Sequence, residues 1–197
     1  MLYNYIEQSY YNININNIVK YYKGLPAKPP IDKFINHWLY ALVSTYENNK
    51  LYTESNSNVE CKMYQQEINL PNSESFFIHY NIEKAILLSH KYPIFKENAR
   101  RLSLSVDYHK QTELKKHHYE SSQPIILIDL PLGIQTPISV IDGHHRLSAK
   151  IINNDDITFV NLLTPDTLSI ISQSFEKAWY SFAIETCLLY TSDAADE

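Results

Sequence analysis

The residues best suited to chemistry lie in one short run, Asp142-Gly143-His144-His145-Arg146. An arginine can make two charge-assisted hydrogen bonds to phosphate oxygens, and the two histidines add further donors. The carboxylate of Asp142 can orient a histidine, accept a proton from a substrate or hold a divalent ion. These residue types side by side predict a site that handles phosphate groups.

The elements on either side of this run favour the same chemistry. Residues 138–141 form an apolar strand that leads directly into Asp142, and a helix is predicted over residues 146–153. The N-terminal end of a helix favours an anion, and Gly143, one of three glycines in the chain, allows a left-handed turn there. The alternative, an exposed Asp-Gly turn with two surface histidines, stays open.

The elements around the turn indicate the fold class. Residues 124–130 are a continuous apolar run, as in a strand buried on both faces, and residues 157–163 form the next strand. A last helix is predicted to begin after Thr164 or Asp166 and to reach Phe182. This order predicts a mixed α+β fold in which a small sheet is flanked by helices.

The first half of the chain is less regular. Apolar positions spaced by three and four residues predict a helix from Asp32 to about Asn48. Weak alternation predicts a strand over residues 62–70, and the next predicted element is a helix between Asn81 and Pro93. Residues 103–109 form either a second strand or an irregular crossing.

Three segments are expected along the chain. Residues 1–58 are interpreted as an N-terminal helical extension and linker, and residues 59–186 as the α+β domain. Residues 187–197 resemble a peptide that recurs when sequencing-adapter DNA is translated, so we interpret them as an artefact tail and leave them out of the fold argument.

Composition restricts the partners and the compartment. The net charge of −5 and the pI of about 5.9 do not give the basic character usual in nucleic-acid-binding domains, so any DNA contact would be local. No apolar run approaches the roughly 18 residues that span a bilayer, so no membrane partner is expected. Cys61 and Cys187 are too few for a disulfide scaffold and no secretory leader opens the chain, which predicts a cytoplasmic, bacterial-type protein.

A family resemblance is carried by the same turn. The run from Val140 to Ala149, with a strand before it and another after the helix, resembles the core signature of the ParB/sulfiredoxin superfamily over about residues 123–164. Within the superfamily, the sequence of this turn is most similar to the Asp-Gly-His-His-Arg turn of the free serine kinase branch. Sulfiredoxins carry a catalytic cysteine where this chain has His144, so reduction of a sulfinic acid is not implied. Partition proteins carry a Gly-Glu-Arg-Arg type box at this place, where this chain has Gly143-His144-His145-Arg146.

The resemblance implies a nucleotide, ATP or CTP, together with Mg²⁺. It implies that Gly143, His144, His145 and Arg146 contact phosphate, that Asp142 and His145 are catalytic, and that Asp142 also binds the metal. A kinase of that branch needs a further carboxylate near the hydroxyl of a small-molecule phosphate acceptor. Glu67, on the predicted upstream strand, is the candidate, and the alternative is an ordinary exposed strand residue. The implied reaction is phosphoryl transfer or nucleotide hydrolysis.

One other function and one other kind of site come into question. The first is a non-enzymatic, DNA-associated or regulatory ParB-like module, of partition or nuclease-like type. A basic stretch between Arg100 and His118 could face DNA, but acidic residues interrupt it, as on a solvated surface. The second is a transition-metal site from two histidine pairs, residues 117–118 and 144–145, which is disfavoured because adjacent side chains point in different directions.

Overall fold

The computed structural model describes residues 14–17, 20, 31–52, 62–69, 75–102, 123–130 and 138–193. The predictions for residues 103–109 and for the linker at residues 24–30 lie outside the described residues. Among the helices described, none is both long and apolar enough to cross a membrane.

From residue 31 onward, six helices or helical turns and six strands follow one another in the described residues. They are α1 (Ile31–Tyr52), β1 (Met63–Asn69), β2 (Ser75–Asn81), α2 (Ile82–Ser89), β3 (Phe95–Asn98), β4 (Ile125–Asp129), β5 (Ile138–Asp142), α3 (His144–Ile152), β6 (Ile157–Leu162), a 3₁₀ turn (Thr164–Asp166), α4 (Thr167–Ile170) and α5 (Ser174–Asp193). This arrangement confirms the predicted mixed α+β class.

The strands form two sheets. Strands β1 and β2 pair antiparallel as a two-stranded sheet, whereas the other four are ordered β3-β6-β4-β5. Strand β6 lies parallel to β4, and the two remaining pairs are antiparallel. Helix α3 connects β5 to β6, and β4 lies between these two strands. Because β5 is an edge strand, the turn that begins α3 lies at the edge of the larger sheet.

Strand β4 of the larger sheet is buried on both faces. Residues 125–128 of β4 are all buried and alternate between two apolar clusters. Ile125 and Leu127 face Leu147 of α3, whereas Ile126 and Ile128 face the main core. Burial of a side chain of this size contributes about 1.5–3 kcal/mol. The continuous apolar run predicted as a doubly buried strand is therefore confirmed.

Helix α1 shares the main core with the rest of the described chain. Its buried residues Ile35 and Leu42 belong to the cluster that contains Trp179 of α5. At the rim of this contact, Trp38 Nε1 donates to Glu185 Oε2 over 3.0 Å. The predicted helix is confirmed and ends at Tyr52, beyond the expected Asn48.

Helix α2 begins as the sequence predicts. Asn81 has extended backbone, and its side chain accepts a hydrogen bond from the N–H of Lys84 over 2.9 Å. A capping side chain satisfies one N–H that has no partner within the helix. The predicted boundary at Asn81 is thus confirmed by the contact that explains it.

Three elements differ from the prediction. Strands β2 and β3 were not predicted, and the last helix is not continuous. It divides into the 3₁₀ turn, α4 and α5, because Ile171 is extended and bridges to Tyr80 while Ser172 N–H donates to the carbonyl of His79 over 2.9 Å. Pairing with β2 therefore interrupts a segment whose apolar spacing is helical.

Candidate phosphate-binding site

The backbone of the predicted turn has the geometry that the sequence favours. Strand β5 ends at Asp142, Gly143 adopts a left-handed conformation with φ of 98°, and α3 begins at His144. A Cβ atom on Gly143 would lie 3.0 Å from both Ile125 Cγ1 and Arg146 Nη2. Glycine is therefore required at this position both by the backbone dihedral and by the space available.

The N-terminal end of α3 is not capped by a side chain. Gly143 has none to offer, and the first turn of the helix contains no acidic residue. The first N–H groups of any helix point out of its N-terminal end, where the helix dipole is positive. This end of α3 is accordingly an electrostatically favourable place for an anion.

Arg146 points back into the protein rather than away from the turn. Its Nη1 donates to the carbonyls of Gln123 and Pro124 over 2.6 and 3.0 Å, and its Nη2 donates to Asp142 Oδ2 over 2.7 Å. The side chain is only 12% exposed. Three of its N–H groups thus connect the start of α3 to the two residues that precede β4 and to the end of β5.

Asp142 lies between two cations. One carboxylate oxygen accepts from Arg146, and Oδ1 lies 3.7 Å from Lys62 Nζ. The Lys62 side chain is 66% exposed and that of Asp142 is 19% exposed. The negative charge of Asp142 is therefore neutralised by the inner cation, which leaves the outer cation, Lys62, available to solvent at the turn.

The two histidines of the turn have different surroundings. The ring of His144 packs against that of Tyr64 on β1 with centroids 4.9 Å apart, and both of its nitrogens are shielded from solvent. His145 is exposed. Of the two rings, His145 is therefore the one positioned to approach a ligand from solution.

Glu67 does not join this cluster. It lies on β1, five residues beyond Lys62, which is about 16 Å further along an extended chain. Side chains three positions apart on a strand also point to opposite faces, so Glu67 and Tyr64 face different ways. The structure therefore brings together Asp142, Gly143, His144, His145 and Arg146, and it places Glu67 elsewhere.

No family model, curated protein or solved structure matches the chain. The ParB/sulfiredoxin resemblance accordingly stays a prediction from residues 123–164. The function has to be argued from the geometry of the turn.

Magnesium would find few protein ligands among the described residues and would depend largely on the phosphates of a bound nucleotide. Among these residues, no group of three or more histidine, cysteine, aspartate or glutamate side chains could hold a metal. Asp142, the predicted ligand, already pairs with Arg146 and faces Lys62, and both of these cations would repel a metal ion placed beside them. In this arrangement Asp142 is the ion-pair partner of Arg146, and its role as a metal ligand stays a prediction.

The described part of the basic stretch is paired with acidic groups. Arg100 Nε lies 2.9 Å from Asp156 Oδ1, and Arg101 Nη1 lies 4.0 Å from Glu97 Oε2. The remaining basic residues of that stretch, from Lys110 to His118, lie outside the described residues. The paired arginines are consistent with a solvated surface rather than a face prepared for phosphates.

Lys62 and Tyr64 were not predicted as residues of the site. Lys62 directly precedes β1 and Tyr64 lies in it, about 80 residues before the turn that they contact. A lysine and a tyrosine two positions apart do not by themselves indicate a site. Only the packing of β1 against α3 reveals them.

Proposed function

We propose that the chain binds the phosphate groups of a nucleotide, ATP or CTP, at the N-terminal end of α3. The observation that carries this proposal is an uncapped helix N-terminus, begun by a left-handed glycine, with the exposed Lys62 beside it. Helix dipole, backbone N–H groups and a lysine act on the same small region. Their combined preference is for a group with concentrated negative charge.

Arg146 supports this binding indirectly. An unpaired carboxylate at Asp142 would repel phosphate, but the 2.7 Å ion pair with Arg146 neutralises it. The same arginine fixes the turn by its two bonds to carbonyls. We therefore assign Arg146 to holding the turn, and Lys62, His145 and the backbone at residues 143–145 to contacting the phosphate.

Phosphate binding is tested by thermal unfolding of the full chain in the presence of inorganic pyrophosphate, ATP or CTP. A ligand that binds only the folded state raises stability by about 2.7 kcal/mol at one hundred times its Kd. Lys62→Gln removes one charge-assisted contact and is expected to weaken binding about tenfold, or ~1.4 kcal/mol. Each ligand is tested with Mg²⁺ and in excess EDTA, and because Lys62 and the start of α3 attract phosphate directly, pyrophosphate is expected to stabilise the chain in EDTA as well.

Lys96→Gln is the matched control for this experiment. Lys96 is an exposed lysine on β3, at the opposite edge of the larger sheet from β5. Three strand spacings, about 14 Å across the sheet, separate these edges. Equal losses in the two variants would show non-specific attraction, and no stabilisation by any of the three ligands at millimolar concentration would overturn the proposal.

We propose phosphoryl transfer to a small acceptor, or nucleotide hydrolysis, as the reaction at this turn. Asp142 is the carboxylate that the described residues place there, and His145 is the accessible imidazole. Asp142→Asn keeps an oxygen that can accept from Arg146 but cannot accept a substrate proton. Loss of a general base lowers turnover by roughly 100-fold or more, so ATP and CTP hydrolysis should fall by that factor while pyrophosphate binding is retained.

Turnover and binding are separable in this design. Hydrolysis at the same rate in Asp142→Asn and in the unmodified chain would remove Asp142 from the chemistry. Absence of hydrolysis and transfer in the unmodified chain, with binding intact, would restrict the function to nucleotide binding.

A further inference from the structure

A second polar cluster lies away from the turn, buried between β1, β2 and α5. Glu176, in the first turn of α5, is fully buried. Its Oε2 accepts from the backbone N–H of His79 over 2.8 Å, and its Oε1 lies 2.8 Å from Nδ1 of the same residue. One carboxylate therefore binds both the main chain and the ring of a residue in the middle of β2.

The other ring nitrogen of His79 meets β1. His79 Nε2 lies 2.8 Å from the side-chain amide nitrogen of Gln65, which can only donate. Nε2 must then accept, so the proton of a neutral ring lies on Nδ1, where it is donated to Glu176. The three side chains form a chain of hydrogen bonds from β1 through β2 to α5.

Among the described residues, three tyrosines lie around this chain of hydrogen bonds. Tyr64 of β1 and Tyr180 of α5 interact electrostatically with Tyr80 of β2, which in turn interacts with Glu176. Burial is the main cause that raises the pKa of Tyr80, so this phenol stays un-ionised near neutrality. Burial also raises the pKa of the Glu176 carboxyl, against the opposing hydrogen bonds from His79.

We propose that Gln65, His79 and Glu176 form a proton-linked lock that fastens the two-stranded sheet to α5. In the deprotonated lock, His79 is the neutral Nδ1–H tautomer that donates to Glu176 and accepts from Gln65. When Glu176 is protonated, its O–H donates to Nδ1, so the neutral ring carries its proton on Nε2 and the Gln65 amide turns so that its oxygen accepts from Nε2. Each state satisfies the buried groups, and the protonated one also removes the buried negative charge.

The direction of the pH effect follows from Glu176. An acid whose pKa is raised in the folded state binds more protons there than in the unfolded chain, so its contribution to stability is complete below about pH 4.5 and is lost as pH rises through the raised value. Each unit by which that pKa is raised changes the unfolding equilibrium constant about tenfold across this window. The lock therefore contributes more to the free energy of unfolding in mild acid than at alkaline pH.

The tautomer is measured on the unmodified chain by the nitrogen-15 shifts of the His79 ring at neutral pH. The lock requires the Nδ1–H form. In Glu176→Gln, the amide can accept from the backbone of His79 and donate to Nδ1, so the ring should change to the Nε2–H form. An Nε2–H ring in the unmodified chain would overturn the proposal, and this measurement does not require any variant to fold.

The pH dependence is measured by urea unfolding between pH 5 and pH 8. The unmodified chain should lose stability as pH rises, and Glu176→Gln should lose that dependence. Glu185→Gln is the matched control, since it changes an exposed glutamate on the same helix and should retain the slope. Equal slopes in Glu176→Gln and Glu185→Gln would overturn the lock. The readouts contain no ligand, so they stand apart from the proposed phosphate site.

Discussion

Arg146→Ala is expected to lower the free energy of unfolding by about 3–5 kcal/mol, the range for breaking a largely buried ion pair. The variant loses two hydrogen bonds to carbonyls and leaves the Asp142 carboxylate, 19% exposed, without its partner. Chemical denaturation without ligand measures this loss. The effect should be present before any nucleotide is added, because the arginine acts within the protein.

Arg146→Lys separates charge from geometry. A lysine keeps the positive charge but cannot present the planar set of donors that reaches Gln123, Pro124 and Asp142 together. We expect it to recover only part of the lost stability. An Arg146→Ala variant within about 1 kcal/mol of the unmodified chain, but unable to bind pyrophosphate, would show instead that the arginine is a direct ligand contact, as the sequence suggested.

Glu176→Ala is expected to cost about 3–5 kcal/mol as well, since it leaves buried donors without an acceptor and opens a void. The carboxylate holds both the backbone N–H and the ring of His79, at the position where α5 meets β2. Thermal or urea unfolding at neutral pH measures the loss. Fraying of α5 from β2 should appear first, as faster hydrogen exchange at His79.

Glu176→Gln and Glu185→Ala are the comparisons for this prediction. The amide of Glu176→Gln can replace both hydrogen bonds, so its cost should be much smaller. Glu185 is exposed and accepts one hydrogen bond from Trp38, so its removal should cost about 1 kcal/mol or less. Similar costs for Glu176→Ala and Glu185→Ala would contradict the importance given to the buried network.

Local signals predicted the parts of the fold that depend on local chemistry. The apolar run at residues 125–128 is typical of a strand buried on both faces, and Asn81 identified the start of α2 by its capping ability. Gly143 was expected in a left-handed turn between a strand and a helix, and its φ of 98° confirms this. In each case, a few neighbouring residues contain all the information required.

Contacts between distant residues explain the departures. Strand β2 does alternate Phe76, Ile78 and Tyr80 as buried residues, but His79 lies among them. A buried histidine breaks an apolar pattern, and its partner Glu176 is 97 residues away. The same contact region interrupts the last helix, since Ser172 bonds to His79 instead of continuing a helical turn.

The candidate site was predicted in position but not in the role of every residue. Arginine beside histidine in such a turn favours phosphate, yet the carbonyls of Gln123 and Pro124 lie within reach and take its donors. The separation of Glu67 from the turn depends on how far β1 extends past Lys62. Neither fact is contained in the residues of the turn itself.

The proposal of a phosphate site is tested most directly by titrating the nitrogen-15-labelled chain with pyrophosphate and following the backbone amide signals. We predict saturable shifts that are largest at residues 143–145 of the turn, smaller for Lys62→Gln at equal ligand concentration, and unchanged for Lys96→Gln. Signals that do not move at the turn, or that move equally over the whole surface, would contradict a phosphate site at the start of α3.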